Sequence, residues 1–301
     1  MSSEYAAKVN ITAPARNIIC ILAPNPSPMT FKGTNTYIIG DDELAIIDPG
    51  PLNEEHFDNI LNVTKGRPVK YIFLTHSHVD HSPLAKQLSE YLNTETYGYG
   101  PSDTGLSSTM VSLIKNGYEN GSEGIDHEFN PDHLIKNNDR FKLNNSIISG
   151  IHTPGHMGNH VCYQYGKVLF SGDHVMGWAT SMVSPPYGDL TQFMTSCRLL
   201  QSMKFDLFLP GHGDPVKNPS DRLNFLVNHR LERESQIIET IKKTALTALE
   251  ITEIIYTDID SSLIPAATRN VFAHLIDLDA RGLLKFQGNI SEKSKAVLLH
   301  K

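Results

Sequence analysis

Six short β-branched runs, each closed by Gly, Pro, Asp or His, constrain this chain more than any other feature. They are "NTYIIG", "ELAIIDPG", "VKYIFLTH", "SIISGIHTPG", "KVLFSGDH" and "FDLFLPGHG". Apolar, β-branched runs bounded by turn formers read as strands. Helix-like segments at 54–63 and 82–92 lie between some of them, the second with Ser82 as its N-cap and Pro83 at its first helical position. Strands interleaved with helices predict sheets covered by helices, an α/β layered domain.

The length of 301 residues suits one large domain followed by a small one. Apolar content of 40% and charged content of 20% exclude collagenous and disordered classes. No run approaches the roughly 18 apolar residues of a membrane span. The start, "MSSEYAAKVNITAPARNII", has no basic stretch followed by an apolar one, so no secretory leader is read and a cytoplasmic location is expected. Cys20, Cys162 and Cys197 are scattered, without C-x-x-C spacing, which argues against a disulfide framework and a thiolate zinc site. Net charge is −7, leaving no global pull toward phosphate polymers.

The texture changes after the turn-rich "PVKNPSDRL" at 215–223, where Ser220 or Asp221 is the candidate cap of a following helix. Helices are expected over 222–248, 250–256 and 265–281, then a hairpin turning at Gly288-Asn289. That order is the order of a winged-helix module, so the expected division is 1–220 and 221–301. Its candidate recognition helix, "AATRNVFAHLIDLDARG", sets Arg269 and Arg281 against Asp277 and Asp279. Such modules bind nucleic acid through a basic helix, and no basic footprint is present here. Packing, dimerisation or covering an active-site mouth is expected instead.

The chemistry lies at the strand ends. "THSHVDHSP", residues 75–83, brings His76, His78, Asp80 and His81 together where a strand opens into a loop. His76 and His78, two apart in extended backbone, project to one side and can share a metal; Asp80 and His81 can face a second. Three later strand ends supply His156, Asp173 and His212, each flanked by glycine. Imidazole and carboxylate suit zinc, and also manganese or iron. Any one of these histidines alone is more often a hydrogen-bonded structural residue. The set, in this order, favours a metal.

The pattern resembles the metallo-β-lactamase superfamily, binuclear metallohydrolases with an αβ/βα sandwich, over residues from about 18 to 215. "NPSPMTFKGTNTYIIG", "MVSPPYGDL" and the C-terminal module are similar to the branch that includes hydroxyacylglutathione hydrolases and β-lactamase-like protein 2. The resemblance implies His76, His78 and His156 on one metal, Asp80, His81 and His212 on the other, and Asp173 bridging. Many class B β-lactamases have cysteine at the bridging position, so Asp173 favours the wider hydrolase group. Asp80 would orient the nucleophile and relay its proton. His160 resembles a recurrent second histidine and is a candidate catalytic residue, with a packing role as its rival. His174 is a weaker candidate for the substrate pocket, and His152 reads as structural. Residues 33–36 read as a hairpin turn, although the resemblance suggests a loop beside the metals with Asn35 and Thr36 near its rim. Tyr187 could wall the pocket, and Trp178 is expected to pack.

The expected activity is hydrolysis of a small acyl thioester, ester or lactone by a metal-bridging hydroxide. Two divalent ions are required, zinc foremost, with iron or manganese possible. The alternative is a single-strand endoribonuclease, because relatives with this domain pairing include such enzymes. A small-molecule substrate and no membrane partner are expected, nucleic acid is not favoured, and a homodimer is possible.

Overall fold

The computed structural model describes residues 10–118 and 120–299. The reading of the chain's start falls partly on residues 1–9, outside the described residues.

Two sheets stack face to face. The first carries β1 (Ile11–Ala15), β2 (Ile18–Leu22), β3 (Asn35–Gly40), β4 (Leu44–Ile47), β5 (Val69–Phe73), β6 (Thr96–Gly98) and β7 (His133–Leu134) in that spatial order. Pairing is antiparallel from β1 to β4 and parallel from β4 to β7. The second holds β8 (Arg140–Leu143), β9 (Ser146–His152), β10 (Val161–Tyr165), β11 (Val168–Gly172) and β12 (Leu207–Pro210), in order β12-β11-β10-β9-β8. Only β11 and β12 are parallel in it. All six predicted strands are present.

Side-chain alternation decides what each face meets. Tyr37 and Ile39 of β3, with Ile18, Ile47 and Phe73, pack against Leu143, Ile148, Tyr163, Phe170 and Leu209 of the other sheet. Ile38 points the opposite way. With Leu44, Ile46 and Ile72 it meets α1 (Glu54–Thr64) and α2 (Leu84–Leu92) through Ile60, Val63, Leu84 and Leu88. Beyond the second sheet, Ile151, Cys162, Leu169 and Phe208 pack under α4 (Leu190–Gln201) and α5 (Pro219–Ile241) through Phe193, Cys197, Leu200 and Leu226. The layers are therefore αβ/βα.

Asn53 caps α1, accepting the His56 N–H at 2.8 Å, and Glu54 and Glu55 favour the positive end of the helix. The cap expected for α2 does not form. Pro83 precedes the helix, and the Ser82 hydroxyl donates to Asp126 (2.6 Å) and to the His78 carbonyl (3.1 Å). Nor does Ser220 or Asp221 cap α5: the helix starts at Pro219, whose fixed φ suits a first turn, with Asn218 before it.

The helix α5 joins two cores. Leu223 and Leu226 enter the core under the second sheet, while Ile237 and Ile241 enter a separate C-terminal one. The latter is built from α6 (Ala248–Ile255), α7 (Ile264–Ala280), β13 (Leu284–Phe286) and β14 (Ala296–Leu298), and α3 (Ser108–Lys115) adds Met110 and Leu113 to it. A reciprocal Thr247–Glu250 capping box starts α6. The helix predicted to reach 248 stops at Ile241 because Leu246 pairs with Ala296, its carbonyl accepting that N–H at 2.8 Å. The turn expected at Gly288-Asn289 is a longer loop, since Phe286 pairs with Ala296. In that loop the Glu292 carbonyl accepts the Ala248 N–H (3.3 Å) and its carboxylate accepts the Tyr118 hydroxyl (2.7 Å). Among the described residues no helix is long and apolar enough to cross a membrane.

Candidate metal centre

Turns after β5, β9, β11 and β12 bring the seven predicted ligands together. Single ligand atoms of His76, His78, His156 and Asp173 lie within 4.8 Å of one another, and those of Asp80, His81 and His212 form a second such group. His78 Nδ1 lies 2.9 Å from His76 Nε2 and 3.1 Å from His156 Nε2. His81 Nε2 lies 3.3 Å from His212 Nε2, and Asp80 Oδ2 is 3.1 Å from His212 Nε2. In a tetrahedral site with Zn–N of about 2.0–2.1 Å, neighbouring nitrogens stand about 3.3 Å apart. The spacing fits a shared cation. So does Asp173 Oδ1, which is buried and has no hydrogen-bond partner among the described residues.

The two groups differ in charge. Burial pushes His76 and His156 down and His78 to about 3, with neighbouring imidazoles adding to the effect at His76 and His78, which favours the neutral form that can offer a lone pair to a cation. Burial also opposes charge on His81 and His212. There the carboxylates outweigh it: Asp80, Asp173 and Asp48 hold His81 well above its ordinary value, and Asp173 and Asp80 raise His212 to about 9. Burial likewise works against ionised Asp80 and Asp173, yet His81 and His212 keep both well below the usual carboxylate range.

Four of the five imidazoles are held from behind at Nδ1, leaving Nε2 for the cluster. Thr75 Oγ1 holds His76 (2.9 Å), the Met182 carbonyl His156 (2.7 Å), the Gly33 carbonyl His212 (3.1 Å) and Asp48 Oδ2 His81 (2.9 Å). Asp48 is the residue that sequence reasoning missed. Its buried carboxylate also accepts the Thr75 N–H and hydroxyl, both at 2.7 Å. The available signal was an acid closing a buried strand in "AIIDPG".

Residues 33–36 are not a hairpin turn. Asn35 begins β3, its N–H donates to the Gly211 carbonyl (2.7 Å), and its side-chain amide donates to the carbonyls of Pro210 (3.0 Å) and Gly213 (2.9 Å). Asn35 and Thr36 are buried, so neither sits at a rim; Asn35 clamps the loop that carries His212. His160 is buried one layer behind His76, with ring centroids 5.3 Å apart, Nδ1 2.9 Å from Thr153 Oγ1 and Nε2 without a partner among the described residues. His174 is not a pocket residue. It packs on Phe193 at 4.6 Å and approaches Cys197 Sγ at 3.6 Å inside the core. His152 stacks on Tyr99 at 3.7 Å, and Trp178 stacks on Phe31 at 4.9 Å.

A cavity of about 430 Å³ opens onto His78, Asp80, His156, Asp173 and His212. Met29, Val79, Ile125, Met182 and Tyr187 line its apolar part, and the C-terminal module contributes Ser262, Pro265, Ala266 and Arg269. Neither His160 nor His174 lines it.

The αβ/βα sandwich with a His/Asp cluster at the ends of its strands defines a metallo-β-lactamase-fold hydrolase. The chain belongs to the Metallo-beta-lactamase superfamily, which matches residues 29–212, and residues 247–293 match the Beta-lactamase associated winged helix domain. It is 29% identical to a "Beta-lactamase-like protein 2 homolog" of Drosophila melanogaster, covering 94% of each chain. It is 27% identical to an "Atrochrysone carboxyl ACP thioesterase" of Passalora fulva, over 76% of this chain and 62% of that one. A beta-lactamase domain protein from Burkholderia ambifaria shares the fold, with a TM-score of 0.78 at 21% identity, covering 96% of this chain and 93% of that one.

Proposed function

We propose that this chain is a binuclear metal-dependent hydrolase of small acyl thioesters, esters or lactones, with two divalent cations, zinc foremost. The observation that carries this reading is Asp173. Its carboxylate lies 3.8 Å from His156, 3.3 Å from His212 and 3.6 Å from His81, so one buried acid faces both ligand groups. When bound, a pair of divalent cations acidifies water and polarises the electrophilic oxygen under attack.

The rest is the work of this chain's side chains. His76, His78 and His156 offer neutral nitrogens, and Asp80, His81 and His212 form the other half. Asp80, 21% exposed and facing the cavity, would orient the nucleophile and relay its proton; the Thr34 hydroxyl steadies it from 3.4 Å. The apolar wall suits an acyl chain or ring and excludes water. A relative named as a thioesterase supports the same substrate class. Three free, buried cysteines suit a reducing compartment, in keeping with a cytoplasmic setting.

Arg269 is the only lysine or arginine among the described residues lining the cavity, and Glu123 pairs with it at 3.0 Å. An enzyme gripping a phosphate backbone needs several such cations. The test is elemental analysis, then a panel of thioesters, lactones, phosphodiesters and short RNA with and without chelator. Two equivalents of metal and chelator-sensitive thioester turnover, indifferent to salt, are expected. Metal-free protein, or cleavage confined to RNA with steep salt dependence, overturns the proposal.

A further inference from the structure

The last turn of α5 to face the second sheet buries a guanidinium without an acidic partner. Arg230 is 3% exposed, and among the described residues no carboxylate forms an ion pair with it. Burying an unpaired charge costs several kcal/mol, on the order of a domain's whole stability margin. Its donors go to two places: the carbonyl of Ser181, and Oδ1 of Asn270 on α7 at 3.0 Å. The same Asn270 oxygen accepts the N–H of Val183 at 3.2 Å.

Both ends of the three-residue segment 181–183 are therefore gripped, one by α5 and one by the C-terminal module. Between them is Met182, whose carbonyl accepts from His156 Nδ1 at 2.7 Å. Ser181 adds a second tie, its hydroxyl donating to the carbonyl of His174, the residue after Asp173, at 2.8 Å. A carbonyl that accepts the outer N–H of a ligating histidine sets the tautomer and the aim of the inner nitrogen. That carbonyl can hold its direction only if its peptide neighbours are fixed.

We propose that Arg230 and Asn270 are positioning residues for His156, so that the C-terminal module sets the aim of one ligand in the metal centre. The inference rests on the metal-hydrolase reading. It also gives the winged-helix module a task that needs no nucleic acid: α7 holds the strap that holds the ligand.

The test uses the full chain and Co(II) as the probe. Asn270→Ala removes the acceptor shared by Val183 and Arg230. About a 10–100-fold loss of Co(II) affinity is expected, of the size seen when the outer partner of a ligand is removed, with an altered visible ligand-field spectrum and a fall in kcat at little-changed KM. Asn270→Asp keeps an oxygen for both donors and restores affinity and spectrum. Arg230→Lys, which retains charge but cannot fork to both acceptors, falls between. The inference is overturned if Asn270→Ala lowers the melting temperature while Co(II) affinity and spectrum stay native, or if Asn270→Asp fails to restore them. Should the unaltered chain take up no Co(II), the proposed function falls with it, whereas native uptake with insensitive variants sinks this inference alone.

Discussion

Asp48 and His81 meet across two strand ends, with Asp48 Oδ2 2.9 Å from His81 Nδ1 and both side chains buried. Asp48 also takes the N–H and hydroxyl of Thr75, so one carboxylate fixes the start of the histidine loop and one of its ligands. Its φ is +49°, a conformation that Asp and Asn tolerate better than other residues. Asp48→Asn therefore spares the backbone but turns an amide toward groups that donate. Stability should fall by about 1–3 kcal/mol and metal affinity by about 10–100-fold. Denaturant titration and a chelator competition measure the two. Native values for both would contradict the role given to Asp48.

Removing a ligand should stop the reaction while the fold survives. His78→Ala or Asp173→Ala is expected to bring hydrolysis down to the level of chelator-treated protein, and Asp173→Ala to reduce bound metal at both groups, since it faces both. Metal content per chain and turnover in metal-free buffer decide it. Near-native turnover in either variant removes the basis of the assignment.

Acid should destabilise the metal-free chain through histidines outside the ligand set. Burial pushes His56 down to about 4, and burial followed by the charge of Arg230 holds His274 well below its ordinary value. Unfolded histidine takes a proton near pH 6.5. Between that value and the folded one the unfolded chain holds more protons, so stability is lost as pH falls from about 6.5 toward 4. His56 alone contributes about 3 kcal/mol once pH is below its folded value. Unfolding curves in chelator at pH 7.5, 6 and 5 should show decreasing midpoints, with a shallower trend in His56→Gln. A flat profile across that window counts against it.

Gly211 backs directly onto two candidate ligands. An added Cβ would stand 2.5 Å from Asp173 Oδ1 and 2.6 Å from His81 Cε1. Gly211→Ala should displace one or both, costing about 1–3 kcal/mol of stability and much of the bound metal. Gly282→Ala, whose added Cβ meets nothing within 4 Å, is the control, although at φ +68° it carries backbone strain of its own. Equal metal content in both variants would show that the site has room to spare.

The candidate ligand set was legible because its information is local. A β-branched run ending in His, Asp or Gly fixes where a strand stops and which side chain stands at its edge, and H-x-H-x-D-H lies within one loop. The same alternation foretold the layers, and the order of the C-terminal segments foretold the module. What stayed hidden depends on atoms from distant segments. Ser82 leaves its capping position for Asp126, the helix after residue 241 gives way to pairing between Leu246 and Ala296, and residues 33–36 join the Gly211 loop in place of turning on themselves.

The sequence by itself determined which side chains could bind a cation and on which strand ends they stand, because residue type and backbone periodicity are properties of short stretches. Only the tertiary structure decided how those candidate ligands are aimed. The groups behind them, Asp48, the Gly33 carbonyl and the Met182 carbonyl, act through hydrogen bonds whose partners lie 33, 179 and 26 positions away, and no local pattern encodes such a distance.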